Sequence, residues 1–301
     1  MKQPIKWLAA ALIALGLNQA AWADDVSDFR KTLQAAERGH DRAQFLLGVM
    51  YEYGQGVRQD NAEAFRWYWQ AADQGHAAAQ FNLGLMYAEG RGVRQNDAEA
   101  VRWYRQAADQ GYAEAQYNLG VMYANGRGVR QDDAEAVKWF RKAAEQGLGV
   151  AQYNLGVMYD NGRGVRQDDA EAVKWFRQAA AQGDVAAQFN LGVMYENGQG
   201  VRQDDAEAVR WYRKAADQGL DEAQIRFGRM YVNGRGVRQD DAEALRWYRQ
   251  YAKAQYHLGW MYDEGHGVRQ DRALAQEWFG KACQNGYQKG CDNYQRLKAG
   301  Y

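Results

Sequence analysis

Small hydroxyl residues and proline are almost missing from this chain. Ser27 is its one serine, Thr32 its one threonine and Pro4 its one proline. Linkers rich in Ser or Pro are therefore absent, and one continuous array is the simplest organisation. The same shortage tells against a serine hydrolase, because Ser27 stands near the N-terminus and no Ser-x-x-Lys occurs. Histidine is scarce too. His40, His76, His257 and His266 lie in different stretches without ligand spacing, so neither a metal nor another cofactor is expected. Charge of one sign is lacking: 38 basic residues stand against 38 acidic ones. That balance leaves no electrostatic footprint for nucleic acid or anionic lipid as a partner.

Long apolar runs are confined to the first 23 residues. Lys2 and Lys6 precede an 11-residue apolar core, Trp7 to Leu17, and Ala21-Trp22-Ala23 is a small-x-small cleavage site before Asp24. This pattern is expected to be a cleavable signal peptide, residues 1–23. The core is too short for a lasting anchor, which needs about 20 residues. No later run is apolar enough to span a membrane. The expected location is periplasmic or secreted, with a mature chain carrying 36 basic against 38 acidic residues. Only two cysteines occur, Cys283 and Cys291. In an exported protein an even pair suggests a disulfide; the alternative is two free buried thiols.

Tryptophan, by contrast, recurs on a beat. Trp67, Trp103, Trp139, Trp175, Trp211 and Trp247 fall 36 residues apart, and Trp278 follows after 31. A fixed period of this size predicts a solenoid of stacked helix-turn-helix units. The unit beginning at Ala151 shows the physics. Ala151, Leu155, Met158 and Tyr159 form one apolar helical stripe. Gly162 ends that helix, Gly164 keeps the turn tight, and Val165 can pack back onto the next helix. Asp168 caps the second helix, and Glu171, three residues on, completes a capping box. The pair recurs as Asp60/Glu63, Asn96/Glu99, Asp132/Glu135, Asp204/Glu207 and Asp240/Glu243, whereas Asp271 is followed by Leu274. Repeated acids could also be paired catalytic carboxylates, but their place at a helix start fits capping. Ala172, Trp175, Phe176, Ala179 and Ala180 form the buried stripe of the second helix, with small Ala for close approach and Trp and Phe filling the gap between units.

Full units are expected to begin at Ala43, Ala79, Ala115, Ala151, Ala187, Ala223 and Ala254. Together they span residues 43–289. A capping region over 24–42 precedes them, and a capping helix over 290–301 follows. Unit six has lost five residues after Trp247, including its turn glycine. A shortened second helix is expected there, the alternative being one helix running into unit seven. Cys283 ends one helix, and Cys291 lies eight residues later in the next. Facing positions of an αα-hairpin could bring the two into bridging range and pin the C-terminal cap.

The pattern Ala-x-x-x-Leu-Gly-x-x-Tyr-x-x-Gly-x-Gly-Val, followed by the cap, Ala-x-x-Trp-Phe/Tyr and Ala-Ala-x-x-Gly, resembles the Sel1-like repeat family, a relative of the tetratricopeptide repeats. Departures are Phe227 for Leu, the deletion and Gly280. The resemblance implies an all-α, α/α right-handed superhelical solenoid that binds proteins or peptides. Secreted bacterial members are associated with envelope assembly, signalling and host cells. The cysteine spacing resembles the disulfide-linked hairpin of a cysteine-rich secreted subgroup, described as binding or hydrolysing β-lactams.

No residue is assigned a catalytic role, and the expected function is non-enzymatic: an exported scaffold for a protein or peptide on its concave face. The alternative is an envelope enzyme or binder of the β-lactam or peptidoglycan-peptide class. For the scaffold, Asn82, Asn118, Asn154 and Asn190 form a repeated set that could grip a peptide backbone, since an amide both donates and accepts. Bonding between adjacent units would use the same amides. Asn125, Asn161, Asn197 and Asn233 read as helix-end residues. Tyr53, Trp69 and Trp260 depart from the consensus with large aromatics, either as partner anchors or as surfaces covered by the caps.

Overall fold

Apolar helical stripes punctuated by paired glycines cut the chain into short helices of nearly constant length. The computed structural model describes residues 22–248, 252–266 and 268–300. The expected signal peptide falls outside them apart from Trp22 and Ala23. Among the described residues there are helices and turns but no strand. The helices are α1 (Trp22–Glu37), α2 (Asp41–Tyr53), α3 (Asn61–Asp73), α4 (Ala77–Glu89), α5 (Asp97–Asp109), α6 (Ala113–Asn125), α7 (Asp133–Glu145) and α8 (Gly149–Asn161), then α9 (Asp169–Ala181), α10 (Val185–Asn197), α11 (Asp205–Asp217), α12 (Asp221–Asn233), α13 (Asp241–Tyr248), α14 (Ala252–Glu264), α15 (Arg272–Gln284) and α16 (Gln288–Lys298). They form two compact units divided between Trp139 and Phe140. Within each, every helix packs on its neighbour in sequence, which is an all-α, α/α solenoid of helix-turn-helix repeats.

The helix starts are capped as the sequence predicts. The Asp168 carboxylate accepts from the amides of Ala170 and Glu171 at 3.1 and 3.0 Å. Asp60, Asn96, Asp132, Asp204 and Asp271 cap in the same way. The other half of the expected capping box differs. The amide of Asp168 already donates to the carbonyl of Tyr159 at 3.1 Å, so Glu171 has no donor to reach back to. Glu171 instead accepts from Lys174 at 3.1 Å, an exposed i,i+3 pair. Every other cap repeats this use of a tyrosine carbonyl nine residues upstream, from Asp60 on Tyr51 to Asp271 on Tyr262.

The first turn glycine, Gly162, ends α8 at φ 64°, the left-handed region. The second turn glycine does more than keep the turn tight. A β-carbon on Gly128 would lie 2.2 Å from the carbonyl oxygen of Asp97, so the loop after α6 rests directly on the first turn of α5. Arg127, next to it, grips the Asp97 carboxylate with two prongs at 2.7 and 3.2 Å. In the second unit Arg235 grips Asp205 likewise at 2.7 and 3.0 Å, and Gly236 lies as close to the Asp205 carbonyl. Both of these loops are thereby docked on the preceding copy.

Tryptophans fill the space between copies. Trp103 of α5 packs with Ala64, Tyr68, Leu83 and Met86 of α3 and α4. Trp211 of α11 lies on the cluster of Ala172, Phe176, Leu191 and Met194. Val93, Val129, Val201 and Val237 pack back onto the cores beside them. At the start, Phe29 and Leu33 of α1 lie on Leu47 and Trp67. In the sixth copy α13 has 8 described residues against 13 in α9. The choice between a break and a continuous helix falls on residues 249–251, outside the described residues.

Candidate interaction site

The two helices of a repeat differ in what they offer. On α8 every residue from Gly149 to Asp160 is buried or half-buried, whereas α9 exposes Ala170, Lys174, Arg177 and Gln178. The first helices thus carry a half-buried strip, and the asparagine set lies in it. Asn82 lies beside the hydroxyl of Tyr68, and Asn118 beside that of Tyr104. Asn190 reaches Tyr153, on the first helix of the preceding copy. Asn154 donates to the carbonyl of Val150 at 2.7 Å. Met158 shares the face of Asn154 but is buried, as are Met122 and Met194, so the methionines belong to the core. Asn125 and Asn161 bond the carbonyls of Val121 and Val157 at 2.9 Å, a helix-end contact.

The strip also holds acids. Glu52 is buried and accepts from the Tyr68 hydroxyl at 2.6 Å and from Arg91. Burial, then the Glu52 charge, holds the Tyr68 phenol well above its ordinary value. In the second unit Glu196 accepts from the Tyr212 hydroxyl at 2.6 Å, Arg235 at 3.0 Å and Arg226 at 3.2 Å. Asp160 occupies the corresponding place on α8, and burial, then the charge of Asp169, raises its pKa.

A glutamine ladder escapes any reading that equates polar with exposed. Gln152 is 4% exposed. Its amide donates to the Ala144 carbonyl at 3.1 Å, and its oxygen accepts from Gln182 at 2.8 Å. Gln80 with Gln110, and Gln188 with Gln218, repeat the arrangement at 2.7 and 2.8 Å. The signal was present: each copy opens with Ala-Gln, a polar residue beside the apolar stripe. Gln224 breaks the ladder. It donates to Ala216 at 3.1 Å, but its buried oxygen has no partner among the described residues. The position 30 residues on, which holds the partner in other copies, is Ala254 after the deletion.

Tyr53, Trp69 and Trp260 are 46%, 45% and 42% exposed. Trp260 stacks on the His266 imidazole, centroids 4.6 Å apart. Cys283 and Cys291 are joined, with Cα atoms 4.5 Å apart, which ties α16 to α15. Arg296 of α16 adds an ion pair to the buried Asp263 of α14. Among the described residues no group of three His, Cys, Asp or Glu side chains clusters as metal ligands. Nor is any helix there long and apolar enough to cross a membrane.

The geometry has counterparts. The Sel1 repeat family model matches residues 41–76, 77–112, 113–148, 149–184, 185–220, 221–253 and 252–287. The overlap at 252–253 marks the shortened sixth copy. A crystal structure of c5321, a protective antigen present in uropathogenic Escherichia coli strains and displaying an SLR fold, is 39% identical over 89% of this chain, with a TM-score of 0.81. The chain spans 59% of the length of c5321. A Sel1 repeat protein from Oxalobacter formigenes is 35% identical over 92% of this chain and 84% of its own, with a TM-score of 0.71. No curated protein matches the chain significantly in sequence. Seven matched repeats, and two solved relatives of this identity, place the chain in the Sel1 repeat family.

Proposed function

We propose that this protein is an exported scaffold that binds a protein or peptide partner along the half-buried strip of its first helices, on the concave face of the array. The observation that carries this reading is the division of labour within each repeat. Gln, Gly, Trp and the caps hold copies together, and what remains at the surface of the first helices is a polar strip of Asn154, Asn190, Asp160 and Glu196. Such a strip offers hydrogen-bond donors and acceptors side by side. The bond Asn154 makes to the Val150 carbonyl is one a peptide backbone can replace.

The cystine supports an oxidising compartment. The signal-like N-terminus supports export, with a mature chain beginning at Asp24, checked by the intact mass of the purified envelope form. The likeness to a protective antigen supports a protein that a host meets, and so a role in host-cell contact. Crosslinking in intact cells tests the main reading. Partner recovery is expected to fall about fivefold or more for the triple variant Asn118→Ala, Asn154→Ala, Asn190→Ala. Equal recovery by parent and variant would remove the strip as the binding surface.

A further inference from the structure

In several copies an arginine of the second helix covers a tyrosine of the next first helix. The guanidinium carbon of Arg105 lies 5.7 Å from the ring centroid of Tyr123 and the group donates to its hydroxyl. Arg141 on Tyr159, at 5.8 Å, and Arg177 on Tyr195, at 5.7 Å, make the same contact. The partners stand 18 residues apart each time. Tyr87 is the corresponding tyrosine of the second copy, and the residue 18 before it is Trp69. The covering arginine is therefore absent. In its place is a shallow groove of about 280 Å³ lined by Phe65, Arg66, Trp69, Gln70 and Tyr87. Phe65 meets the Tyr87 ring edge-on, centroids 5.4 Å apart. The Tyr87 hydroxyl has no hydrogen-bond partner among the described residues.

We infer that this groove is a seat for the guanidinium of an arginine side chain supplied by a partner protein. The sister copies show the chemistry the tyrosine takes: a planar cation on its face that also donates to its oxygen. A guanidinium does both at once, whereas an ammonium is a compact, strongly hydrated charge that stacks less well. Trp69 adds a second aromatic wall, the best of the side chains for attracting a cation. The charge around the groove suits it. Arg66 is neutralised by Glu63 at 2.7 Å. Arg102 and Lys174 hold the matching place in sister copies, paired with Glu99 and Glu171, and coexist there with Arg105 and Arg177. Burial, then the charge of Glu99, holds the Tyr87 phenol above its ordinary value.

This inference rests on the scaffold reading and names one side chain that a partner brings. The test uses the full ¹⁵N-labelled chain and follows the indole N–H signal of Trp69, assigned by its loss in Trp69→Arg. The probes are the capped tripeptide Gly-Arg-Gly and its lysine and citrulline counterparts. The signal is expected to shift saturably with the arginine peptide, at about fivefold lower affinity with lysine, and not with neutral citrulline. Trp69→Arg refills the groove from within, as in the sister copies. It is expected to keep the parent melting temperature and to abolish the response of a labelled Tyr87 ring. Trp69→Ala, which opens the groove without refilling it, is expected to lose the response as well. No shift with arginine overturns the inference. An equal shift with citrulline overturns it too, by making the groove an apolar slot. A concentration-dependent shift without peptide overturns it in favour of a second copy of the chain. The crosslinking experiment does not depend on Trp69, so failure of the groove and failure of the asparagine strip are distinguished.

Discussion

A β-carbon on Gly156 would lie 2.7 Å from two ring carbons of Phe176, closer than real side chains come. The Leu-Gly pair of this first helix is therefore the seat of the aromatic from its own second helix. Gly48 with Tyr68, Gly192 with Tyr212 and Gly259 with Phe279 are built the same way. Gly156→Ala is expected to destabilise the protein by about 2 kcal/mol, because overpacking outweighs the roughly 1 kcal/mol that alanine gains in a helix interior. Adding Phe176→Leu should recover part of the loss in urea unfolding. An additive double variant would mean the two residues are not coupled.

The glutamine ladder makes a differential prediction. Gln152→Leu removes two buried hydrogen bonds and leaves the Ala144 carbonyl with the Gly147 amide alone, at an expected cost of about 1–3 kcal/mol. Gln224→Leu removes only one hydrogen bond, to an Ala216 carbonyl that keeps the Gly219 amide, and it also removes an unpaired buried oxygen, so its cost should be less than half as large. Unfolding midpoints of the two variants decide it. Equal costs would mean that the Gln224 oxygen is satisfied in solution.

Reduction should loosen one end of the protein and little else. The cystine closes a loop with a sequence separation of 8, a constraint of about 2–3 kcal/mol in the chain-entropy account. Amide exchange in α16 is expected to quicken after reduction or in Cys283→Ala/Cys291→Ala, while α3 to α6 keep their protection. Unchanged exchange in α16 would show that Arg296 and Asp263 suffice to hold it.

Stability should fall on mild acidification. Burial holds the His76 imidazole below its ordinary value, and its Nδ1 accepts from the Ala79 amide at 3.3 Å. His257 is lowered by burial first, then by Arg229 and Lys289. A base with a depressed folded pKa binds fewer protons folded than unfolded. Its contribution is complete above about pH 6.5 and is lost as pH falls from there through the folded value. His76→Asn keeps an acceptor for Ala79 and should flatten part of the decline between about pH 7 and pH 5, leaving the share of His257. Superimposed melting profiles for variant and parent would refute the assignment to His76.

Local chemistry was legible because it acts over a few residues. The stripe of Ala151, Leu155 and Met158, the stop at Gly162 and the cap at Asp168 all follow from helical period and from orphan amides at a helix start. The return bond of Glu171 was misread for the same reason: its competitor, the Tyr159 carbonyl, reaches the Asp168 amide only once the turn has closed. The buried Gln152 was invisible to patterning, since its partners Ala144 and Gln182 come from the two flanking second helices.

By itself, the sequence determined the period, the all-α class and the place of the repeated glycine turns, because each rests on neighbours within one helical turn or on exact repetition. Tertiary structure alone decided which side chains are used up and which are free. Arg127 is bound to Asp97, Gln152 to Ala144 and Gln182, and Asn154 to the Val150 carbonyl. Trp69 is left uncovered beside Tyr87, because stacking brings residues 18 to 39 apart into contact, and one substitution on a repeated surface is felt only by the copy that packs against it.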